Sequence, residues 1–233
     1  MKVRLFVGVY CLFFPLISSA FSLESKETIR VPVRIHLTTS STIPHLNADI
    51  SSEEISSVFE NVNLIWKKAK IEFFIESVVA HPAKNEQLYL QASNEYSALN
   101  KKQRKQTMSK VCRIKPRSKS VINLCIVGRM SGDEGGLTYR YKKHSPLVVW
   151  PLELKQKKNH KSATLAHEFG HFLGLSHNSE KNIYLMKGKG NNIRRVGKID
   201  KIRLTNNEIK RSRKIATIFT LYQTHQLKMP SLI

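Results

Sequence analysis

Acidic residues are scarce in this 233-residue chain, where 17 Asp and Glu stand against 39 Lys and Arg for a formal net charge of +22. A chain so poor in carboxylates is drawn to anionic partners: acidic proteins, envelope polymers, lipid head groups or nucleic acid. The dense basic run Lys101–Lys119 contains no Phe, Tyr or Trp. Without aromatic side chains on which bases could stack, specific nucleic-acid binding is not expected, and a solvated basic surface is. Cysteine is also rare, with three in the chain and none at C-x-x-C spacing, which disfavours a thiolate metal site. Internal repeats and Pro- or Gly-rich linkers are missing, so residues 21–233 are expected to form a single domain, long enough to build its own core. Beyond residue 20 no stretch is apolar over the roughly 20 residues that a membrane-spanning helix needs.

The first twenty residues differ from the rest. Lys2 and Arg4 precede an apolar run from Leu5 to Ile17, and Ser18-Ser19-Ala20 supplies small residues where a signal peptidase would cut. The run is interrupted by Pro15 and is too short to span a bilayer. Residues 1–20 therefore read as a signal peptide, and the mature protein is expected to be secreted or periplasmic, with a charge of +20 once Lys2 and Arg4 are gone. Cys11 would leave with the leader, so Cys112 and Cys125 remain as a pair in an oxidising setting. A disulfide between them and two buried free thiols both fit the sequence.

Hydrophobic periodicity gives the elements. Thr28–Thr39 alternates, with Val31, Val33, Ile35 and Leu37 on one face, and predicts a half-buried strand. Ser51 and Glu54 form a capping box that opens a helix with Ile55, Val58, Phe59, Val62, Ile65 and Trp66 at helical spacing. Ile71–Val79, Val121–Val127 and Leu147–Trp150 read as further strands, and Pro151 stops the last. Leu88–Lys110 is polar and weakly periodic, fitting either a helix or a long surface excursion. Ser162–Leu173 is helical, ending at Gly174, and a last helix begins at the Thr205–Glu208 capping box. One long helix early and one late, with strands between, predict an α+β domain.

His167-Glu168-Phe169-Gly170-His171 is an H-E-x-x-H motif, extended by Gly174 and His177 to H-E-x-x-H-x-x-G-x-x-H. Chance would place those five residues at that spacing in such a chain with a probability of roughly 10⁻⁴. Helix positions four apart lie about 40° apart around the axis, so His167 and His171 can reach one zinc ion. On a continuous helix His177 would sit roughly 15 Å along the axis and about 80° around it, out of reach. Gly174 can take the left-handed conformation that ends a helix and turns the chain back. Leu165, Phe169, Phe172 and Leu173 lie roughly opposite the two histidines, which predicts that the histidines face away from the core. Three neutral ligands leave a fourth position for water, and Glu168, beside His167 yet not a ligand, is placed to act as general base.

With these residues the chain resembles the metzincin superfamily of zinc endopeptidases, most closely its matrixin-like and pappalysin-like branches. The resemblance implies a twisted mixed sheet, two large helices above a cleft, one of them carrying the zinc motif, and a small C-terminal part ending in a helix. It implies one catalytic zinc ion and gives Met186 the role of the methionine in a tight turn below the metal. Ile122–Val127 resembles the central strand, while Gly135–Thr138 and Leu147–Trp150 resemble the bulged segment and edge strand that bind an extended peptide by strand addition. Gly136, Leu137, Val148 and Val149 are the substrate-binding candidates. Asn178 stands where some branches have Asp, and Gly188 stands where others place a tyrosine ligand. No cysteine-switch motif is present. The resemblance thus implies a secreted zinc endopeptidase acting on protein or peptide substrates, acidic ones favoured by the charge. From another class, a secreted basic protein that keeps its zinc without turnover also fits the ligands, and the presence of Glu168 weighs against it.

Overall fold

The computed structural model describes residues 27–94, 100–112, 121–130, 135–139, 146–153, 158–178, 183–187 and 198–225. The expected leader lies outside them. Strands β1 (Ile29–Thr39), β2 (Ile71–Pro82), β3 (Ile122–Val127), β4 (Leu137–Tyr139) and β5 (Leu147–Pro151) form one sheet in the order β2-β1-β3-β5-β4. The first four strands in that order run parallel, and β4 pairs antiparallel with β5. The five helices are α1 (Ser52–Trp66), α2 (Glu86–Asn94), α3 (Lys101–Val111), α4 (Lys158–Phe172) and α5 (Asn206–His225). This is the mixed-sheet α+β class expected from the sequence.

Alternation along the strands divides the core in two. Ile122, Leu124 and Ile126 of β3, with Val148 and Trp150 of β5, meet the apolar faces of α1, α4 and α5. Cys125, Val127, Leu147 and Val149 point to the other face, where Tyr89 of α2 and Met108 and Val111 of α3 cover them. Both faces being covered, β3 and β5 are buried at every position, as parallel strands between helical layers require. Strand β1 is not half-buried as expected, because Pro32, His36 and Thr38 are buried along with Val31, Val33 and Ile35, and the Thr38 hydroxyl donates to the carbonyl of Leu46. Within 88–110 the described residues belong to two helices, α2 and α3. Each buries few side chains on the second face, and so their apolar periodicity is weak. Cys112, just after α3, is joined by a disulfide to Cys125 of β3 within this layer.

Capping chemistry sets the helix starts. Ser51 Oγ accepts from the Glu54 amide at α1. At α5 the Glu208 amide donates to Thr205 Oγ1 while Glu208 Oε2 accepts from the Thr205 amide. A second such box, Asn100 with Gln103, opens α3. Aromatic contacts lock α4 onto its neighbours. Phe169 stacks on Phe73 of β2 at 4.4 Å between centroids and meets Phe59 of α1 edge-on at 6.2 Å, and Phe172 meets Phe219 of α5 at 5.0 Å. The helix with the H-E-x-x-H motif is thus fixed on three sides. Among the described residues no helix is long and apolar enough to cross a membrane.

Candidate metal centre

Gly174 has φ of +88°, and the hydrogen bonds around it are those of a Schellman ending. The Leu175 amide donates to the Gly170 carbonyl (2.9 Å) and the Gly174 amide to that of His171 (3.2 Å). The chain then reverses, and the Asn178 amide donates to the Met186 carbonyl at 2.8 Å. This reversal places His177 Nε2 at 3.1 Å from both His167 Nε2 and His171 Nε2. Among the described residues these three side chains are the one group of His, Cys, Asp or Glu that could hold a metal ion.

Tautomers decide what such a cluster can do. His167 Nδ1 lies 2.7 Å from the Leu185 carbonyl and His171 Nδ1 lies 2.9 Å from the Leu175 carbonyl. A carbonyl only accepts, so each Nδ1 carries the proton and each Nε2 presents a lone pair. Two of the three converging nitrogens therefore present lone pairs toward the cluster, as ligands to one cation would. Tetrahedral zinc at about 2.0–2.1 Å from each nitrogen would hold them roughly 3.3 Å apart, close to the separation observed. Burial of His167 pushes its pKa down, with the Leu185 carbonyl and the charge of Glu208 opposing, so the neutral form that a ligand requires is favoured. The donor set fits zinc.

Lying opposite the apolar stripe of α4 does not leave His167 exposed. It is 7% exposed, as is Glu168, while His171 is half-buried. The turn 183–187 lies over this face of α4, and its Leu185 and Met186 are fully buried. Met186 packs against the backbone of α4 at Gly170, where any Cβ would run into the methionine sulfur. Small size at position 170 is therefore required by the turn beneath the cluster.

Glu168 points toward β4. Thr138 Oγ1 lies 2.7 Å from Glu168 Oε2 and 2.9 Å from the Glu168 carbonyl oxygen. Gly136 faces the Glu168 stem, where a built Cβ would be 2.7 Å from Cγ. Behind the third histidine, Asn178 Nδ2 donates to Glu208 Oε1 at 2.6 Å, so the α5 capping box also holds the chain beside His177. The sequence names most of these residues without showing that they meet. Thr138 and Glu208 take their neighbours from folding, and the carbonyls of Leu175 and Leu185 carry no side-chain signature.

The candidate substrate residues separate into two groups. Val148 and Val149 are fully buried on β5, which is paired on both sides, to β3 and to β4. The edge expected at Leu147–Trp150 instead belongs to β4, because Leu137, Thr138 and Tyr139 pair outside β5. Gly136 and Leu137 stand at that edge beside Glu168.

The cluster of three histidines on its helix and turn resembles the centre of metzincin-type zinc metallopeptidases, as the motif implies. Residues 143–221, about a third of the chain, match the family model Peptidase_M43, pregnancy-associated plasma protein-A, and the segment includes all three histidines, Glu168, Gly174 and Met186. The chain therefore resembles the pappalysin-like branch there. Among solved structures it is similar to metalloproteinase-II from Bacteroides fragilis, at 15% identity and a TM-score of 0.46, over 82% of this chain and 55% of that one. It is also similar to archaemetzincin from Methanopyrus kandleri, at 13% identity and a TM-score of 0.44, over 81% of this chain and 96% of that one. A chain described as a chaperone–substrate complex matches at 15% identity and a TM-score of 0.48, over 84% of this chain and 35% of that one. The protein thus spans about a third of that last chain and about half of the Bacteroides enzyme. No curated relative matches it.

Proposed function

We propose that the protein is an extracytoplasmic zinc endopeptidase in which His167, His171 and His177 hold one zinc ion and Glu168 is the general base. The observation that carries this reading is the convergence of three imidazole Nε2 atoms, two of them kept unprotonated by backbone carbonyls. Zinc, when bound, supplies a Lewis acid and lowers the pKa of its water toward about 7. Glu168 takes a proton from the attacking water and passes it to the leaving amine, a role that contributes about 10²–10⁴-fold. An extended peptide would lie along the outer side of β4, with Gly136 and Leu137 supplying backbone hydrogen bonds. The basic surface would draw acidic substrates, and the disulfide suits an oxidising compartment.

Zinc analysis and cleavage profiling of a mixed peptide library with residues 21–233 test the reading. One zinc per chain with cleavage inside peptides is expected. A full zinc equivalent without any cleavage would favour the secreted zinc-containing binding protein, and less than half an equivalent after zinc-supplemented refolding would remove the centre itself.

A further inference from the structure

Glu168 is gripped at two points by one short segment. Gly136 and Thr138, two apart on an extended chain, point to the same side of the sheet edge. Gly136 lies against the methylene stem of Glu168, and a Cβ there would also come within 3.2 Å of the carboxylate carbon. The Thr138 hydroxyl reaches the carboxylate tip at 2.7 Å. Its single proton has two acceptors within range, Glu168 Oε2 and the Glu168 carbonyl oxygen. Of the two, Oε2 is the nearer, at 2.7 Å against 2.9 Å for the carbonyl oxygen.

We propose that Thr138 is a positioning residue for Glu168, its hydroxyl holding one carboxylate oxygen so that the other is presented at a fixed angle for proton transfer. The inference rests on reading Glu168 as the general base. Its consequence is mechanical. The segment that fixes the base is also the sheet edge along which a peptide would lie, since Thr138 pairs with Val148 through its backbone while its side chain holds Glu168. Base and scissile bond are then referenced to one strand, and a shift of β4 carries both together. Reacting groups misplaced by about 1 Å can lose on the order of 10²-fold in rate, so such shared referencing has kinetic value.

The alternative is that Thr138 merely ties β4 to α4 through the Glu168 carbonyl. Thr138→Val keeps the shape and removes the hydroxyl, while Thr138→Ser keeps the hydroxyl. With zinc-loaded protein and a peptide cut by the wild type, Thr138→Val is expected to retain zinc and KM within about twofold and to lose about ten- to hundredfold in kcat, the range for a hydrogen bond to a charged group. Thr138→Ser is expected to recover most of that loss. A lowered Tm with kcat within about twofold of wild type would overturn the proposal and leave the tie between elements. A crystal structure of zinc-loaded Thr138→Val gives a readout independent of turnover. The Glu168 carboxylate should leave its place beside β4, and an unmoved carboxylate would overturn the proposal. Should the wild type cut no peptide, the endopeptidase reading fails, and the crystallographic arm alone decides whether Thr138 positions Glu168.

Discussion

The N–H groups of His167 and His171 are both engaged by backbone carbonyls, and each carbonyl belongs to a turn that the motif itself requires. Leu175 lies in the Gly174 turn that returns His177, and Leu185 precedes the buried Met186. Orientation of these two imidazoles therefore follows from chain reversal, through backbone carbonyls. Carboxylates being few, the pairing of Glu76 stands out. Glu76 stands at the bulge where β1 and β2 change register, and Arg34 grips both its oxygens, at 2.9 and 2.6 Å. That hydrogen bonding lowers its pKa from 4.5 to about 2. A depressed carboxyl contributes stability above its unfolded pKa and loses it as pH falls through the folded value, here between about pH 5 and 2. The pair is roughly a third exposed, so solvent screening keeps its contribution to about 1 kcal/mol or less. Glu76→Gln is expected to lower stability slightly at pH 7, with the difference from wild type shrinking toward zero near pH 2. Urea titrations at both pH values check this, and a difference that grows on acidification would contradict it.

At the scale of elements, the Gly174 turn couples stability to the centre. Its φ of +88° disfavours any side chain, and a Cβ would stand 3.3 Å from Ile215 Cγ1 of α5. Gly174→Ala is expected to cost about 1–2 kcal/mol from the backbone conformation alone. It should also speed zinc loss to a chelator, because the same turn returns His177 and carries the carbonyl that orients His171. Zinc retention equal to wild type in a destabilised variant would separate the turn from the ligands. The ligand helix, its stop and the third histidine were legible because a metal demands fixed spacing on a periodic element. The position of β5 was less so: a short apolar run reads alike as an edge strand and an inner one, and only the antiparallel addition of β4 distinguishes them. Burial of His167 was likewise hidden, since a helical wheel does not know that a later turn will cover it. The grip of Thr138 on Glu168 joins residues 30 positions apart, and no local pattern announces that.

Over the whole molecule, 39 basic residues stand against 17 acidic ones. Such a field steers anionic partners over distances comparable to the Debye length, about 8 Å at physiological salt. Cleavage of an acidic peptide is expected to slow with rising ionic strength more than cleavage of a neutral peptide of the same length. Initial rates across a salt series check this, and equal slopes would reduce the charge to a matter of solubility. The disulfide acts at the same scale, joining the helical cover of the second face to the central strand. Both cysteines were visible in the sequence, and their pairing became definite only when α3 was laid across β3.

In the proposed reaction a proton moves through Glu168 while three histidines hold the metal, and the Glu168→Gln variant measures both at once. Glutamine keeps the size of the side chain and can still accept from Thr138, but it cannot take up a proton from water. Zinc content and peptide turnover, taken on the same preparations of wild type and variant, should show about one zinc in each with turnover down by about 10²-fold or more. A variant that holds its zinc and keeps more than about a tenth of wild-type turnover, well outside that range, would contradict the assignment of Glu168 as the base.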